Sequence, residues 1–561
     1  MTRLFAGLAV LAAIAVFVLV GRSARDWNPA LSHDTCVYYY QEIKKLNEPV
    51  QNSIITNPFK VPVGTTEPDA AQAKPVFIVL LNLWHTGYKW LDSSLVFPDN
   101  RIYSDFIFST LVLALLSFAW LGWRLGYPWL GLLSGLIAFV NAWALTVVYF
   151  DSYTAVSFFL LSIAFGLIYK KRPVGTLVAG ALMAADILIN QSVTVFMVSY
   201  AGLALFLPNT LRKRLYSLAC YLCGAALAWL SFESIVLAEN ITNNWLYIPV
   251  YKVLLSYLNR SMTELSVYFS VYEHTLFPLM VWKNSVVFSV GFVACLVVTV
   301  VAMRRKWRSF LDRPETSLLF VVILTLILID WRTGPKFSRT YFLVFPFTVL
   351  FTVISCYEIL QRAETAKRWV GILIGGVFLL YLAECVQGLQ SQKTAFLAAR
   401  GKILASFESE MPIFFFRDDT YAPFFFQLSE DKTVGSSPKL MARFVSDLCD
   451  PGIDDRFKSI NVMVGPNIPS VINLPGYFTE TVSLPLNPDV KAVSGVCRDK
   501  SWKAVLEERV PFFSHYPYLM LEDPRETYRL QKDRTIGWED YKSGIGRVSL
   551  WKVMYEAGGT D

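Results

Sequence analysis

Charged residues are scarce in this 561-residue chain: they make up 17% of the sequence, against 54% hydrophobic residues, and mean hydropathy is +0.43. So low a charge content is atypical of a soluble globular protein of this length. The sequence also lacks a G-x-x-x-x-G-K-[ST] loop, an H-E-x-x-H pair, a glycine-rich nucleotide-binding fingerprint and any evident internal repeat. We therefore expect lipid to be the main solvent and cytoplasmic ATP not to be the energy source.

Apolar segments predict a polytopic α-helical membrane protein with about eleven transmembrane helices, since a span needs about 20 apolar residues. The first segment, Leu4–Gly21, is interpreted as an uncleaved anchor rather than a signal peptide, because Arg22–Arg25 is a poor small-residue cleavage site. Asn190–Ser192 predicts the tip of a helical hairpin, because the stretch Val174–Leu207 is too long for one span. The other predicted spans are Phe106–Trp123, Trp129–Phe150, Thr154–Tyr169, Val174–Asn190, Ser192–Leu207, Leu215–Ala238, Ser285–Met303, Ser317–Ile329, Tyr341–Leu360 and Trp369–Leu389.

Positive charge indicates the orientation of the spans, because short cytoplasmic loops collect Lys and Arg. Five basic groups lie at alternate loops: Arg124, Lys170–Arg172, Arg212–Arg214, Arg304–Arg308, and Arg362 together with Lys367–Arg368. All agree with a cytoplasmic N-terminus, which places loops 22–105 and 239–284 and the C-terminal tail outside. The net charge of +7 is mostly explained in this way, and no basic, aromatic-interleaved face suggests nucleic acid. A bacterial inner membrane is favoured, although sequons at 240–242 and 259–261 would be usable in an endoplasmic reticulum.

The tail at 389–561 differs in composition from the apolar module at 1–388 and predicts a small α/β domain outside the membrane. Its short apolar runs Ile413–Phe416, Asn461–Val464 and Val548–Trp551 predict strands, and Pro438–Leu448 predicts a helix. Cys449 and Cys497 are the only cysteines of the tail, and the compartment permits a disulfide between them.

Three acids, Asp186, Glu233 and Asp330, lie within or at the ends of predicted spans, toward their outer ends. A charge at the bilayer centre costs about 2.5 to 3.5 kcal/mol on insertion scales, so each acid needs a reason to be there. Either the three reach water or pair with neighbouring helices, or they line a cavity that opens outward.

The first outer loop carries two notable features. Asp34 lies a few residues beyond the first span, where an acid could take a proton from a substrate that arrives on the outer side. Further on, Lys74–Trp84 is too short to span a bilayer but long enough to lie along its interface, with Trp84, Tyr88 and Trp90 as anchors. Such a segment could cover a lipid head group, or it could simply pack on the helix bundle.

The order of these motifs resembles that of a known family. An anchor precedes Asp34 and the run Val37–Ile43, Lys74-Pro75 opens an interfacial helix, and Arg101–Ser104 enters the second span. Asp151–Tyr153 opens the fourth span, and Lys336–Tyr341 followed by Phe345-Pro346 enters a late one. This succession is similar to the polytopic GT-C glycosyltransferases, in particular the aminoarabinose, arabinose and protein-mannose transferases. The Thr-Lys-Pro that often marks the hairpin tip in that family is missing here.

The resemblance implies transfer of a sugar from a polyprenyl-phosphate carrier to an acceptor hydroxyl on the extracytoplasmic side, with inversion. Asp34 would then be the catalytic base for the acceptor hydroxyl. The donor phosphate would be bound by outer basic residues that can stabilise its growing charge, namely Lys74, Arg332, Lys336 and Arg339. The cluster from Arg332 to Arg339 could instead meet anionic lipid heads. Asp151 would orient the acceptor or bind a metal, or it could cap the N-terminus of the fourth span.

Some relatives in the resembled family use a divalent cation, and His33 with Asp151 could hold one, although a lone histidine more often only forms hydrogen bonds. His274 and Tyr341 are further candidates to line the cavity. The acceptor could be a lipid, a glycan or a protein. Two other functions stay open: a flippase or transporter of lipid-linked sugars, which would not need an acid poised in the first outer loop, and a non-catalytic scaffold of envelope assembly.

Overall fold

The structure is a computed structural model. Apart from isolated positions and the six strands given below, it describes residues 74–91, 100–141, 153–208, 210–238, 285–303, 313–331, 342–362 and 375–390. The chain divides into two compact units, one of residues 1–28 and 38–389 and one of residues 29–37 and 390–561.

The described part of the first unit is α-helical. Its helices are α1 Pro75–Leu91, α2 Asn100–Leu125, α3 Pro128–Phe139, α4 Tyr153–Tyr169, α5 Pro173–Ile187, α6 Thr194–Phe206, α7 Leu211–Ala238, α8 Val286–Met303, α9 Pro314–Trp331 and α10 Phe345–Arg362, followed by helical residues 375–390. A single 3₁₀ turn, Gln191–Val193, precedes α6.

Prolines and a polar tip set several helix boundaries. Pro128 and Pro173 stand in the first turns of α3 and α5, where a missing backbone N–H costs nothing. At the hairpin tip, the Asn190 side chain accepts a hydrogen bond from the Ser192 N–H at 3.1 Å and so caps the 3₁₀ turn. The predicted hairpin is therefore present, with a helix on either side of Asn190–Ser192.

Two predicted elements differ from the structure. Within the predicted span Trp129–Phe150, helix α3 ends at Phe139 with Val140 as its C-cap, and residues 142–150 lie outside the described part of the chain. Here the Tyr381 hydroxyl donates to the Ile137 carbonyl at 2.7 Å. This carbonyl therefore has a hydrogen-bond partner even though no further turn of helix supplies a backbone N–H. The interfacial segment, by contrast, continues seven residues beyond Trp84, to Leu91.

Close packing sets these helices side by side, and the short turns that join them lie at a shared end. Gly166 of α4 lies against the Trp120 ring of α2, and Gly180 of α5 lies against the backbone of α7. The turns 126–127, 170–172 and 207–210 lie at one end of these helices. We call it the basic end. Its cations are Arg124, Lys170, Lys171, Arg172, Arg212, Lys213 and Arg214. The opposite end, which holds Tyr153 and the hairpin tip, is called the tip end.

Polar side chains tie the helices together in pairs. The Tyr200 hydroxyl donates to the Leu161 carbonyl, and the Thr325 hydroxyl donates to Ser199 Oγ. At the basic end, the Tyr127 hydroxyl donates to Glu358 Oε1 at 2.7 Å. Burial, followed by the effect of the Glu358 carboxylate, raises the pKa of Tyr127, so the phenol stays a donor. Such bonds suit an apolar solvent, which offers no water as an alternative partner.

Much of the outward surface of the helical unit is apolar. On α8, for example, Val290, Val293, Val297 and Val301 are each at least half exposed. Among the described helices, Ile102–Leu125 and Leu211–Ala238 are long and apolar enough to cross a membrane by length and composition, and the other apolar helices are shorter. The count of about eleven spans therefore stays a prediction.

The described part of the second unit is a mixed six-stranded sheet with the order β2-β1-β3-β6-β5-β4. Its strands are β1 Ile413–Phe416, β2 Arg443–Val445, β3 Ser459–Val464, β4 Ala492–Cys497, β5 Lys500–Phe513 and β6 Ile545–Ala557. β1 runs parallel to β2 and β3, whereas β3-β6, β6-β5 and β5-β4 are antiparallel. The three apolar runs that predict strands lie in β1, β3 and β6.

The helix predicted for Pro438–Leu448 is wrong at Arg443–Val445. These residues form β2 and pair in register with Phe414–Phe416, because a long-range strand partner outweighs a weak local helix preference. At the other edge of the sheet, the buried Trp502 packs on Gly495, where a Cβ atom would come within 2.6 Å of the indole ring.

Candidate functional site

Helix α1 is fixed to α2 by two polar contacts. Trp84 Nε1 donates to the Ile102 carbonyl at 3.1 Å, and the Tyr88 hydroxyl donates to Asp105 Oδ2 at 2.8 Å. Both bonds hold the second half of α1 against the start of α2. The predicted membrane anchors Trp84 and Tyr88 therefore also serve as packing contacts, which accounts for the extension of the helix to Leu91.

The first half of α1 brings a cation to the beginning of α4. Lys74 Nζ lies 3.3 Å from the centroid of the Tyr153 ring, a close cation–π contact. Phe77, one turn further along α1, packs edge-on against the same ring with 5.8 Å between centroids. Tyr153 is only 2% exposed and Phe77 is fully buried, so the position of the Lys74 ammonium is set by a packed aromatic pair.

The same face of α1 covers the hairpin and the end of α7. Val76 and Val79 pack on a buried cluster formed by Leu188, next to the hairpin tip, and Phe232 and Val236 of α7. Glu233 follows Phe232 and is 2% exposed. Two residues that the sequence marks as candidates therefore lie at the tip end, Lys74 just before α1 and Glu233 beside the cluster that α1 covers.

Asp186 lies in the last turn of α5 and is fully buried. Ser157 of α4 donates a hydrogen bond to Asp186 Oδ1 at 2.8 Å. The other carboxyl oxygen, Oδ2, is buried without a hydrogen-bond partner among the described residues. Because Ser157 lies one turn after Tyr153, the Asp186 carboxyl occupies the tip end one turn deeper than the Lys74–Tyr153 contact. It can accept a hydrogen bond there from a water or a substrate hydroxyl.

Ser157→Ala should lower the stability of the folded protein, because it leaves a buried carboxyl without its donor. We expect a loss of about 1–3 kcal/mol, the usual cost of an unsatisfied buried polar group. The measurement is thermal unfolding of the detergent-purified protein. Ser231→Ala is the matched control, since Ser231 is exposed on α7 and donates only within its own helix. Equal unfolding midpoints for the two variants would contradict the assigned role of the Ser157–Asp186 pair.

Most of the other sequence-predicted residues lie outside the described part of the chain. They are His33, Asp34, Asp151, His274, Arg332, Lys336, Arg339, Tyr341 and Cys449. The backbones of Asp330 and Cys497 belong to α9 and β4, but their side chains are not described. The proposed base, acceptor group, phosphate cluster, metal ligands and disulfide therefore stay predictions.

Among described residues, no group of three or more histidine, cysteine, aspartate or glutamate side chains is arranged to hold a metal ion. Two contacts of the candidate site are not predicted by the sequence, namely Lys74 on the Tyr153 ring and the Ser157–Asp186 bond. Ser157 stands four residues after Tyr153, on the same face of α4, which is the spacing that could have indicated the Ser157–Asp186 bond.

No family model matches the chain, and no curated protein does. Among solved structures, the chain is similar to the crystal structure of ArnT from Cupriavidus metallidurans bound to undecaprenyl phosphate. The sequence identity is 11%, the TM-score is 0.41, and the match covers 82% of this chain and 93% of that one.

Proposed function

We propose that this protein is an integral-membrane glycosyltransferase. It moves a sugar from a polyprenyl-phosphate carrier to an acceptor hydroxyl on the extracytoplasmic side, with inversion at the anomeric carbon. The acceptor is a glycan, a lipid or a protein. The observation that carries the proposal is the contact of the Lys74 ammonium with the packed Tyr153 ring, at the same end of the helices as the buried acids Asp186 and Glu233.

The dimensions of the helices support a donor site at this end. At 1.5 Å per residue, the 15-residue helix α5 is about 22 Å long, shorter than the ~30 Å hydrocarbon core of a bilayer. The hairpin tip therefore lies below the level of the lipid head groups when the basic end is at the opposite surface. A polyprenyl phosphate that enters from the bilayer would meet Lys74 somewhat below the level of the surrounding lipid head groups.

The chemistry of the transfer assigns the remaining tasks. The leaving phosphate gains charge in the transition state, and Lys74 stabilises it together with Arg332, Lys336 and Arg339 of the same outer side. Asp34 takes the proton of the acceptor hydroxyl, and Asp151, two residues before Tyr153 in the sequence, orients that hydroxyl. Asp186 and Glu233 line the inner wall of the site and bind sugar hydroxyls.

The proposed site faces the extracytoplasmic side of a bacterial inner membrane, with the N-terminus and the basic end cytoplasmic. A domain of residues 389–561 follows on the outer side. This orientation rests on the basic clusters at one end of the described helices and on the general preference of Lys and Arg for cytoplasmic loops.

Lys74→Gln should weaken the binding of polyprenyl phosphate about tenfold or more, which is the loss expected for one charge-assisted hydrogen bond. Binding is measured by titrating undecaprenyl phosphate into the full-length protein in nanodiscs. Lys89→Gln is the matched control, because Lys89 is an exposed lysine near the other end of the same helix. Wild-type affinity in Lys74→Gln would contradict the donor site. Binding that depends on Lys74, but without any sugar transfer by the wild type, would favour the flippase.

A further inference from the structure

We propose that Arg124 and Arg172 form a second anion site, at the basic end, which binds the phosphate of an anionic phospholipid. This site lies at the opposite end of the helices from the proposed donor site. It is independent of the proposed function and would be occupied whether or not the protein transfers a sugar.

Arg124 is held in position by aromatic rings. Its guanidinium lies 5.3 Å from the centroid of the Trp120 ring and 6.0 Å from that of Trp123. Trp120 in turn packs on Gly166 of α4, where a Cβ atom would come within 2.6 Å of the indole. Stacking on the ring faces leaves the N–H edge of a guanidinium available to an anion, and that edge matches two oxygens of a phosphate.

The guanidinium of Arg124 is incompletely satisfied. Its Nε atom is buried and has no hydrogen-bond partner among the described residues. The two described carboxylates of this end have other partners, since Glu358 accepts from Tyr127 and Glu315 lies 3.9 Å from Arg313. Arg124 as a whole is only half-buried, so an anion bound at the terminal nitrogens of the same guanidinium would offset the cost of the unpaired Nε donor.

The second cation makes the need for an anion stronger. Arg172 is close enough to Arg124 for the two positive charges to repel each other. It is also the N-cap residue of α5, where the positive end of the helix dipole disfavours a cation. An anion bound between the two guanidinium groups would be attracted by both arginines and by the helix dipole. Its binding would offset the repulsion between Arg124 and Arg172.

The depth of the site selects a lipid rather than a soluble phosphate. Trp123 is 60% exposed and Trp129, just across the turn at 126–127, is 70% exposed. Exposed tryptophans at the end of a membrane helix lie at the level of the lipid head groups. The phosphate of a phospholipid is already at this depth, and its acyl chains would lie along the apolar surface of α2.

The test is native mass spectrometry of the full-length protein released from detergent with added phosphatidylglycerol. Arg124→Gln and Arg172→Gln should each lower the affinity of the tightest-bound lipid about tenfold, the loss expected for one charge-assisted hydrogen bond. Lys213→Gln, which removes an exposed cation of the same end at the start of α7, should leave it unchanged. Arg172 lies in an exposed turn, so its variant remains informative even where Arg124→Gln lowers the yield of folded protein.

Two results would overturn the proposal. In one, both arginine variants bind phosphatidylglycerol as tightly as Lys213→Gln does. In the other, millimolar inorganic phosphate displaces the bound lipid completely, which would identify a site for a soluble anion. Retention of the lipid in the presence of phosphate, together with its loss from both arginine variants, supports a phospholipid site.

Discussion

Asp34→Asn should abolish sugar transfer and leave the affinity for polyprenyl phosphate unchanged. Asparagine has the size of aspartate but cannot take the proton of the acceptor hydroxyl, and general-base catalysis contributes about 10²- to 10⁴-fold to a rate. The rate is measured in membrane vesicles as transfer of radiolabelled sugar from a polyprenyl-phosphate donor, with aminoarabinose, arabinose and mannose as the first donors. Because Asp34 is not assigned to the donor phosphate, donor binding in the same vesicles should match that of the wild type.

The matched control for this experiment is Asp69→Asn, which removes an acid from the same outer loop far from the first span. It should transfer sugar at the wild-type rate. Full activity in Asp34→Asn would remove the central claim about the catalytic base. A variant that loses transfer and donor binding together would instead place Asp34 in the donor site.

The helices of the first unit were largely predictable from the sequence, because their boundaries have local causes. Pro173 and the basic turn before it mark the start of α5, and the polar Asn190–Ser192 marks the hairpin tip. Proline lacks a backbone donor and asparagine offers a side-chain acceptor, so each acts on its own segment whatever the rest of the chain does.

The errors occurred where a distant residue decides the local structure. Helix α3 ends at Phe139 beside Tyr381, which is 244 residues away from the carbonyl that it binds. Similarly, Arg443–Val445 form a strand because Phe414–Phe416 lie beside them. Neither partner can be recognised from the hydrophobic pattern around the segment, since periodicity reports only which faces are apolar.

In the candidate site, too, single residues could be predicted from the sequence, whereas the contacts between distant residues could not. The sequence singled out Asp186 and Glu233 as charges in apolar segments, and the family resemblance singled out Lys74 as an outer cation for the donor phosphate. The sequence did not reveal that Lys74 lies on the Tyr153 ring or that Ser157 binds Asp186, since these contacts join residues 79 and 29 positions apart. A charged residue in or beside an apolar segment can be recognised as a site candidate from the sequence. The residue that it contacts is known only once the helices are packed.

Gly180→Ala and Gly224→Ala should each prevent α5 and α7 from packing as they do. A Cβ atom at Gly180 would overlap the backbone carbonyl of Tyr221, and one at Gly224 would overlap the carbonyl of Leu177. Backbone atoms cannot rotate away as a side chain can, so the helices must separate. Overpacking usually costs about 1–3 kcal/mol, and these two overlaps should cost at least that. We expect both variants to unfold at lower temperature and to give little monodisperse protein in size-exclusion chromatography.

Gly291→Ala on α8 is the matched control, because a Cβ atom added at Gly291 would meet no atom of the described residues within 4 Å. It should be neutral or stabilising by up to about 1 kcal/mol, the gain in helix propensity from glycine to alanine. Wild-type unfolding of Gly180→Ala would show that α5 and α7 do not cross at this point. The crossing matters for the site as well as for the fold, since α5 carries Asp186 and α7 carries Glu233. A shift of either helix would alter the depth of both acids beneath α1, so any Gly180→Ala protein that still folds should bind the donor more weakly than the wild type.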